Sequence, residues 1–208
     1  MSNPNIQESI ADLNESTIDL KDTAASLKAN LKLILAENQK LADQIDFDQI
    51  ALLIPYLQNA DRVFITGAGR SGLSLKSAAM RLMHFGLTVF VAGETTTPAI
   101  RKGDVLLAAS GSGTTGTIVK AAEKTVAAGA KVVALSTTLD SPLAKLASLT
   151  VILPAAQKQD HGKTVSVQYA GSLFEQGILL LTDALFQTMW AVDGTAAEEL
   201  WKRHANLE

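Results

Sequence analysis
The 208-residue chain contains no cysteine. That excludes disulfides, thiolate metal sites and a cysteine nucleophile, and it fits a reducing compartment. Charge of one sign is also lacking, since the formal net charge is −3. Nothing in that balance draws the chain to nucleic acid or to an anionic membrane. The opening residues carry neither a basic stretch nor an apolar run, so no signal peptide is expected. The longest apolar run, Ile178 to Val192, is interrupted by Asp183 and Gln187. It falls short of the roughly 20 residues a bilayer span needs and reads as a buried helix. The three histidines, His84, His161 and His204, are too scattered for a metal signature, and no metal site is expected. The expectation is a cytoplasmic protein without a membrane segment.

What is present begins with helical periodicity. Ile6, Ile10, Leu13, Thr17, Leu20, Ala24, Leu27, Leu31 and Ile34 alternate spacings of four and three. They form one helical stripe, packed on the chain's own domain or on a partner subunit. Asp46 can cap a second helix running towards Asn59, which Pro55 should kink or shorten. The pattern then changes to short aliphatic runs: Val63–Thr66, Thr88–Ala92, Asp104–Ala109, Lys131–Ser136 and Leu149–Leu153. Such runs are strands buried on both faces. Helix-like segments lie between them, at Ser71–Phe85, Thr115–Ala128 and Pro142–Ala147, and a long closing helix spans about Gln168 to Trp190. Alternating strands and helices predict an α/β domain with a parallel sheet covered on both sides. No low-complexity linker interrupts it. The reading is a helical extension over 1–45 and a single domain over 46–208.

Two loops suit an anion, because a strand, a tight turn and a helix N-terminus together offer free N–H groups and a positive dipole end. The first is Gly67-Ala68-Gly69-Arg70-Ser71-Gly72. It matches the dinucleotide pattern G-x-G-x-x-G, and Glu94 lies where a ribose-binding acid would be sought. Any tight strand-to-helix turn also favours glycine. The second is Ser110-Gly111-Ser112-Gly113-Thr114-Thr115. It combines glycines that admit a ligand to the backbone with the hydroxyls of Ser110, Ser112 and Thr115. For this loop alone, a capped turn in which Thr114 or Ser112 satisfies helix N–H groups is as good an account as a ligand site. Two such loops on separate strands favour a ligand. A dinucleotide enzyme normally needs a second domain for its substrate, for which this chain has no room. A phosphate monoester fits better, with Gly69, Arg70 and Gly111 as further candidate contacts.

SGSGTT at Ser110–Thr115 resembles the phosphate-binding loop of the sugar isomerase (SIS) domain. Together with GAGRSG, MRLMHFG, GETTTPAI, FEQ and the ending KRHANLE, it is similar to the 6-phospho-3-hexuloisomerase family over about Asp61 to Glu208. The resemblance implies a five-stranded parallel sheet with helices on both faces. It implies interconversion of 3-hexulose 6-phosphate and fructose 6-phosphate without cofactor, metal or nucleotide. It implies that Ser71, Ser110, Ser112 and Thr115 hold phosphate, that Glu175 is the base, and that the chain forms homo-oligomers, often tetramers. It suggests formaldehyde assimilation or detoxification, or pentose supply. His204 has little packing reason to stand in a polar tail and is a candidate proton shuttle, in its own or a neighbouring subunit. Glu94, at a strand end, is the next candidate base or substrate contact. Three other readings stay open: another SIS-type isomerase, for example of an aldopentose phosphate, a sugar-phosphate-binding module without catalysis, and a dinucleotide-binding module.

Overall fold
The structure, a computed structural model, describes residues 20–158 and 164–207. The early part of the helical stripe, Ile6 to Thr17, and His161 lie outside the described residues. Helix α1 (Leu20–Ala42) carries the remainder of the stripe. The chain divides within α1 into two compact units, 1–36 and 37–208, where the sequence alone suggests a division after residue 45. In the first unit Leu20, Leu27, Leu31, Leu33 and Leu35 are exposed.

In the second unit, Asp46 caps α2 (Phe47–Ala51) by accepting from the N–H groups of Asp48 and Gln49 at 3.0 and 3.3 Å. Leu52 separates α2 from α3 (Leu53–Gln58), whose first turn contains Pro55, as the proline requires. There follow β1 (Val63–Gly67), α4 (Gly69–Phe85), β2 (Val89–Val91), β3 (Val105–Ala109), α5 (Gly116–Ala127), β4 (Lys131–Ser136), α6 (Pro142–Leu146) and β5 (Leu149–Ile152). The long α7 (Ser172–Asp193) and the short α8 (Ala197–Trp201) close the chain. The five strands are parallel in the order β2-β1-β3-β4-β5. The expected strands agree with the observed ones to within a residue or so at each end.

Adjacent strand residues face opposite layers. Val63, Ile65, Val105, Leu107, Val133 and Leu135 pack under α4 and α7, while Phe64, Leu106, Ala108, Val132 and Ala134 pack under α5 and α6. Leu107 is fully enclosed, and its truncation to alanine should cost about 2–5 kcal/mol. At the N-terminal edge of the strands, Arg62 grips the buried Asp104 with two hydrogen bonds of 3.0 and 2.6 Å, and the Arg101 N–H adds a third at 2.8 Å. The strand order turns back between β1 and β3, so the carboxyl ends of those strands open a crevice where ligands of such sheets sit. Among the described residues no helix is long and apolar enough to cross a membrane.

Candidate active site
Three helices begin at that crevice. Their N-cap residues are Ala68 for α4, Thr115 for α5 and Gly171 for α7, and none receives a side-chain cap hydrogen bond. All three line one cavity of about 210 Å³. Uncapped helix starts leave N–H groups and positive dipole ends facing that space. Its size suits a small molecule rather than a dinucleotide.

The hydroxyl loop forms one wall. It is fastened from behind: the carbonyl of Gly111 accepts from the N–H and Oγ1 of Thr137 at 3.0 and 2.8 Å and from Ser136 Oγ at 3.1 Å. Gly113 has φ +63° and lies so close to Ser141 that a β-carbon would collide with it. On the cavity side, Ser110 Oγ and Thr115 Oγ1 lie 3.0 Å apart and Ser112 Oγ lies 2.8 Å from Thr114 Oγ1. Ser112 Oγ accepts from the Thr114 N–H at 3.3 Å, a hydrogen bond within the turn, but neither it nor Thr114 caps the N-terminus of α5, and the Thr115 hydroxyl faces Ser110. Ser71 lines the same cavity from the first loop. Gly67 and Gly72 of that loop touch backbone to backbone: a β-carbon on Gly72 would stand 2.5 Å from the Gly67 oxygen. Their role is close strand–helix packing.

Glu175 lies in the first turn of α7, 5% exposed, next to the cavity-lining Phe174. Arg70 donates from Nε to its Oε2 at 2.6 Å, and Lys158 Nζ stands 4.0 Å from its Oε1. Ser74 Oγ holds the Glu175 carbonyl at 2.9 Å. The approach to α7 is set by Glu37, whose carboxylate accepts from Ser166 Oγ, the Val167 N–H and Gln168 Nε2 at 2.6, 2.8 and 2.9 Å. Gln168 then accepts from Gln176 at 2.8 Å, and Gln176 from Asn38 at 2.7 Å. Burial pushes the Glu37 carboxyl up, but the three hydrogen bonds and nearby Lys40 outweigh it and hold the group below its ordinary value.

Ser71, Ser110, Gly111, Ser112 and Thr115 therefore meet in one cavity, while Glu175 adjoins it through the lining residues Phe174 and Lys158 and carries Arg70 with it. Gly69, φ +57°, opens α4 beside the cavity, with open space where a β-carbon would stand. Glu94 does not join them. It is exposed and paired to Lys76 at 2.7 Å, beside a separate hollow at the ends of β1 and β2. His204 lies apart as well, stacked on His84 at 3.9 Å and next to Trp201 at 4.3 Å. His84 ends α4, whose start carries Ser71, so along the helix the two are separated by roughly 20 Å. The neighbouring Arg203 donates to the His84 carbonyl at 2.8 Å. Burial, His204 and Arg81 lower the His84 pKa from its ordinary value. Trp201 is exposed, and Arg81 lies over the Phe186 ring at 5.8 Å. Among the described residues no cluster of three histidine, aspartate or glutamate side chains could hold a metal.

Lys158 and Gly171 escaped the sequence reading. The one available signal for Lys158 was a lysine in the loop that leaves the last strand at the ligand-binding edge of the sheet.

Residues 56–180 match the model of the SIS domain. The chain is 58% identical over 179 residues to a 3-hexulose-6-phosphate isomerase of Mycobacterium gastri, covering 86% of this chain and 90% of that one. It is 37% identical over 176 residues to the 3-hexulose-6-phosphate isomerase of Bacillus subtilis, covering 84% and 95%. Among solved structures, a Methanococcus jannaschii protein for which the same molecular function was inferred superposes with a TM-score of 0.75. It is 28% identical, with 86% of this chain and 99% of that one covered.

Proposed function
This chain belongs to the SIS domain family, and we propose that it is a ketose-phosphate isomerase interconverting 3-hexulose 6-phosphate and fructose 6-phosphate. The observation that carries the reading is the cavity at three uncapped helix N-termini, lined by hydroxyls and by Lys158, whose ammonium stands 4.0 Å from the Glu175 carboxylate. The likeness to curated isomerases of this specificity supports the choice of substrate.

The phosphate binds to Ser71, Ser110, Ser112, Thr115 and the exposed N–H groups, with Gly69 and Gly111 leaving the backbone accessible. Phosphate oxygens accept several hydrogen bonds at once, and those bonds are strong because the acceptor is charged. Binding energy from this handle positions carbons 2 and 3 near Glu175. Glu175 removes the proton at carbon 2, and the electron pair moves through a carbon–carbon double bond onto the carbon 3 oxygen. The hydroxyl proton of carbon 2 passes to that oxygen, and Glu175 returns its proton to carbon 3. One carboxylate suffices for both transfers, and no cofactor enters. Arg70 orients the carboxylate through Oε2. His204, remote from Glu175 in its own chain, would act only by entering a neighbouring subunit's site. We accordingly propose a homo-oligomer, a tetramer by the family resemblance, working in the cytoplasm on the ribulose monophosphate route of formaldehyde assimilation. Supplying 3-hexulose 6-phosphate and coupling fructose 6-phosphate formation to a dehydrogenase tests the reading. Turnover is expected, unaffected by EDTA, and its absence with a folded enzyme overturns it.

A further inference from the structure
Lys158 has no role in the scheme above, yet among the described residues it is the cationic side chain lining the cavity. Its ammonium stands 4.0 Å from Glu175 Oε1, too far for a hydrogen bond. Among the described residues it makes no hydrogen bond, and Glu175 is its ion-pair partner. The backbone seats its stem: the side chain crosses Gly171, where a β-carbon would come within 3.1 Å of Lys158 Cγ. Gly171 has φ +78° and is the N-cap of the helix that carries Glu175. The shelf that supports the lysine and the helix that presents the base are therefore one element. Oε2 is already held by Arg70, which leaves Oε1, on the lysine side, free to face the reacting carbons.

We propose that Lys158 is a catalytic residue, the donor that stabilises the enediolate oxygens. This rests on the isomerase reading of the same site. When Glu175 takes the carbon 2 proton, negative charge arrives on the carbon 3 oxygen, beside the carboxylate and hence beside Lys158. The ammonium donates hydrogen bonds to that oxygen and to its carbon 2 neighbour. It stays protonated while the hydroxyl proton passes between the two oxygens, so no charge or proton is lost. A donor aimed at developing charge lowers the barrier without tightening ground-state binding in proportion. The phosphate, held by the hydroxyl loop across the cavity, is not its target.

The test compares wild type with Lys158→Met and Lys158→Arg in the full-length protein, measuring kcat and KM for 3-hexulose 6-phosphate, affinity for fructose 6-phosphate and for inorganic phosphate, and thermal stability. The expected result for Lys158→Met is a kcat lower by about 10²–10³-fold, as for loss of one oxyanion donor. Phosphate affinity and melting temperature should be nearly unchanged. Lys158→Arg should recover part of kcat. A kcat within threefold of wild type overturns the proposal. So does a variant that keeps kcat but loses affinity for phosphate, which would make Lys158 a phosphate ligand, or one whose loss of kcat tracks loss of stability. Wild type that binds fructose 6-phosphate but turns over no substrate would defeat the isomerase reading instead, a result separable from any of these.

Discussion
In the turn after β1, Gly67 and Gly72 press backbone on backbone, and the one polar side chain sent into the cavity is Ser71. In the turn after β3, the glycines leave room while Ser110, Ser112, Thr114 and Thr115 turn their oxygens towards the same cavity. Written out, the two loops look equivalent, and the first is the closer match to a known nucleotide pattern. In space the first is a packing joint that starts α4 at the correct angle and aims Arg70 at Glu175. The second is the ligand-facing wall. A glycine pattern thus reports that backbone must approach something closely. Whether that something is another backbone or a ligand depends on what surrounds it.

The largest expected effect falls on the element the first loop positions. Glu175→Gln should fold and bind fructose 6-phosphate while kcat falls by about 10²–10⁴-fold, the contribution of a placed general base. Retention of most of kcat would transfer the role to another group and dissolve the link between Arg70 and catalysis. In the second loop, Ser110→Ala or Thr115→Val should each weaken fructose 6-phosphate binding by roughly 1.5–3 kcal/mol, the worth of a hydrogen bond to a charged group. Calorimetric titration reads this, and the melting temperature should hold. The first loop should behave in the opposite way. Gly72→Ala forces a β-carbon against the Gly67 carbonyl and should cost about 1–3 kcal/mol of stability. Denaturant unfolding measures that cost, and an unperturbed midpoint would refute the packing joint.

The remaining two predictions probe the ends of the strands. Burial pushes the Asp104 carboxyl up, but its bonds from Arg62 and the Arg101 N–H prevail and hold it below its ordinary value. A depressed folded pKa means that the stabilisation is complete above the unfolded value of about 3.9 and is lost as pH falls through the lower folded one. Unfolding titrations of wild type should therefore steepen below about pH 4, and Asp104→Asn should lose that part of the slope. The smallest effect belongs to Glu94→Gln. It breaks an exposed pair with Lys76, worth about 0–1 kcal/mol, and kcat should stay within about twofold. A larger loss would bring Glu94 back as a substrate contact.

The architecture was legible because parallel strands covered on both faces must be nearly continuous aliphatic runs. Val105–Ala109 and Lys131–Ser136 announce themselves for that reason. The hydroxyl loop was legible because its chemistry is local: six consecutive residues supply the turn, the hydroxyls and the helix start. Asp46 and Pro55 act within one turn and were read correctly as a cap and a helix break. Nothing in the sequence distinguished Gly171 from any other loop glycine.

By itself, then, the sequence determined the order of strands and helices, the sides they bury and the loops able to hold an anion. Each depends on periodicity or on neighbours in the chain. The tertiary structure decided which groups meet. Arg70 and Glu175 are far apart along the chain and 2.6 Å apart in space. Lys158 reaches the cavity only because the chain returns from β5 across Gly171, and His204 is drawn to His84 and away from the hydroxyl loop. Contacts of that kind are set by how α4 and α7 pack on one face of the sheet, and packing depends on every side chain in the layer at once.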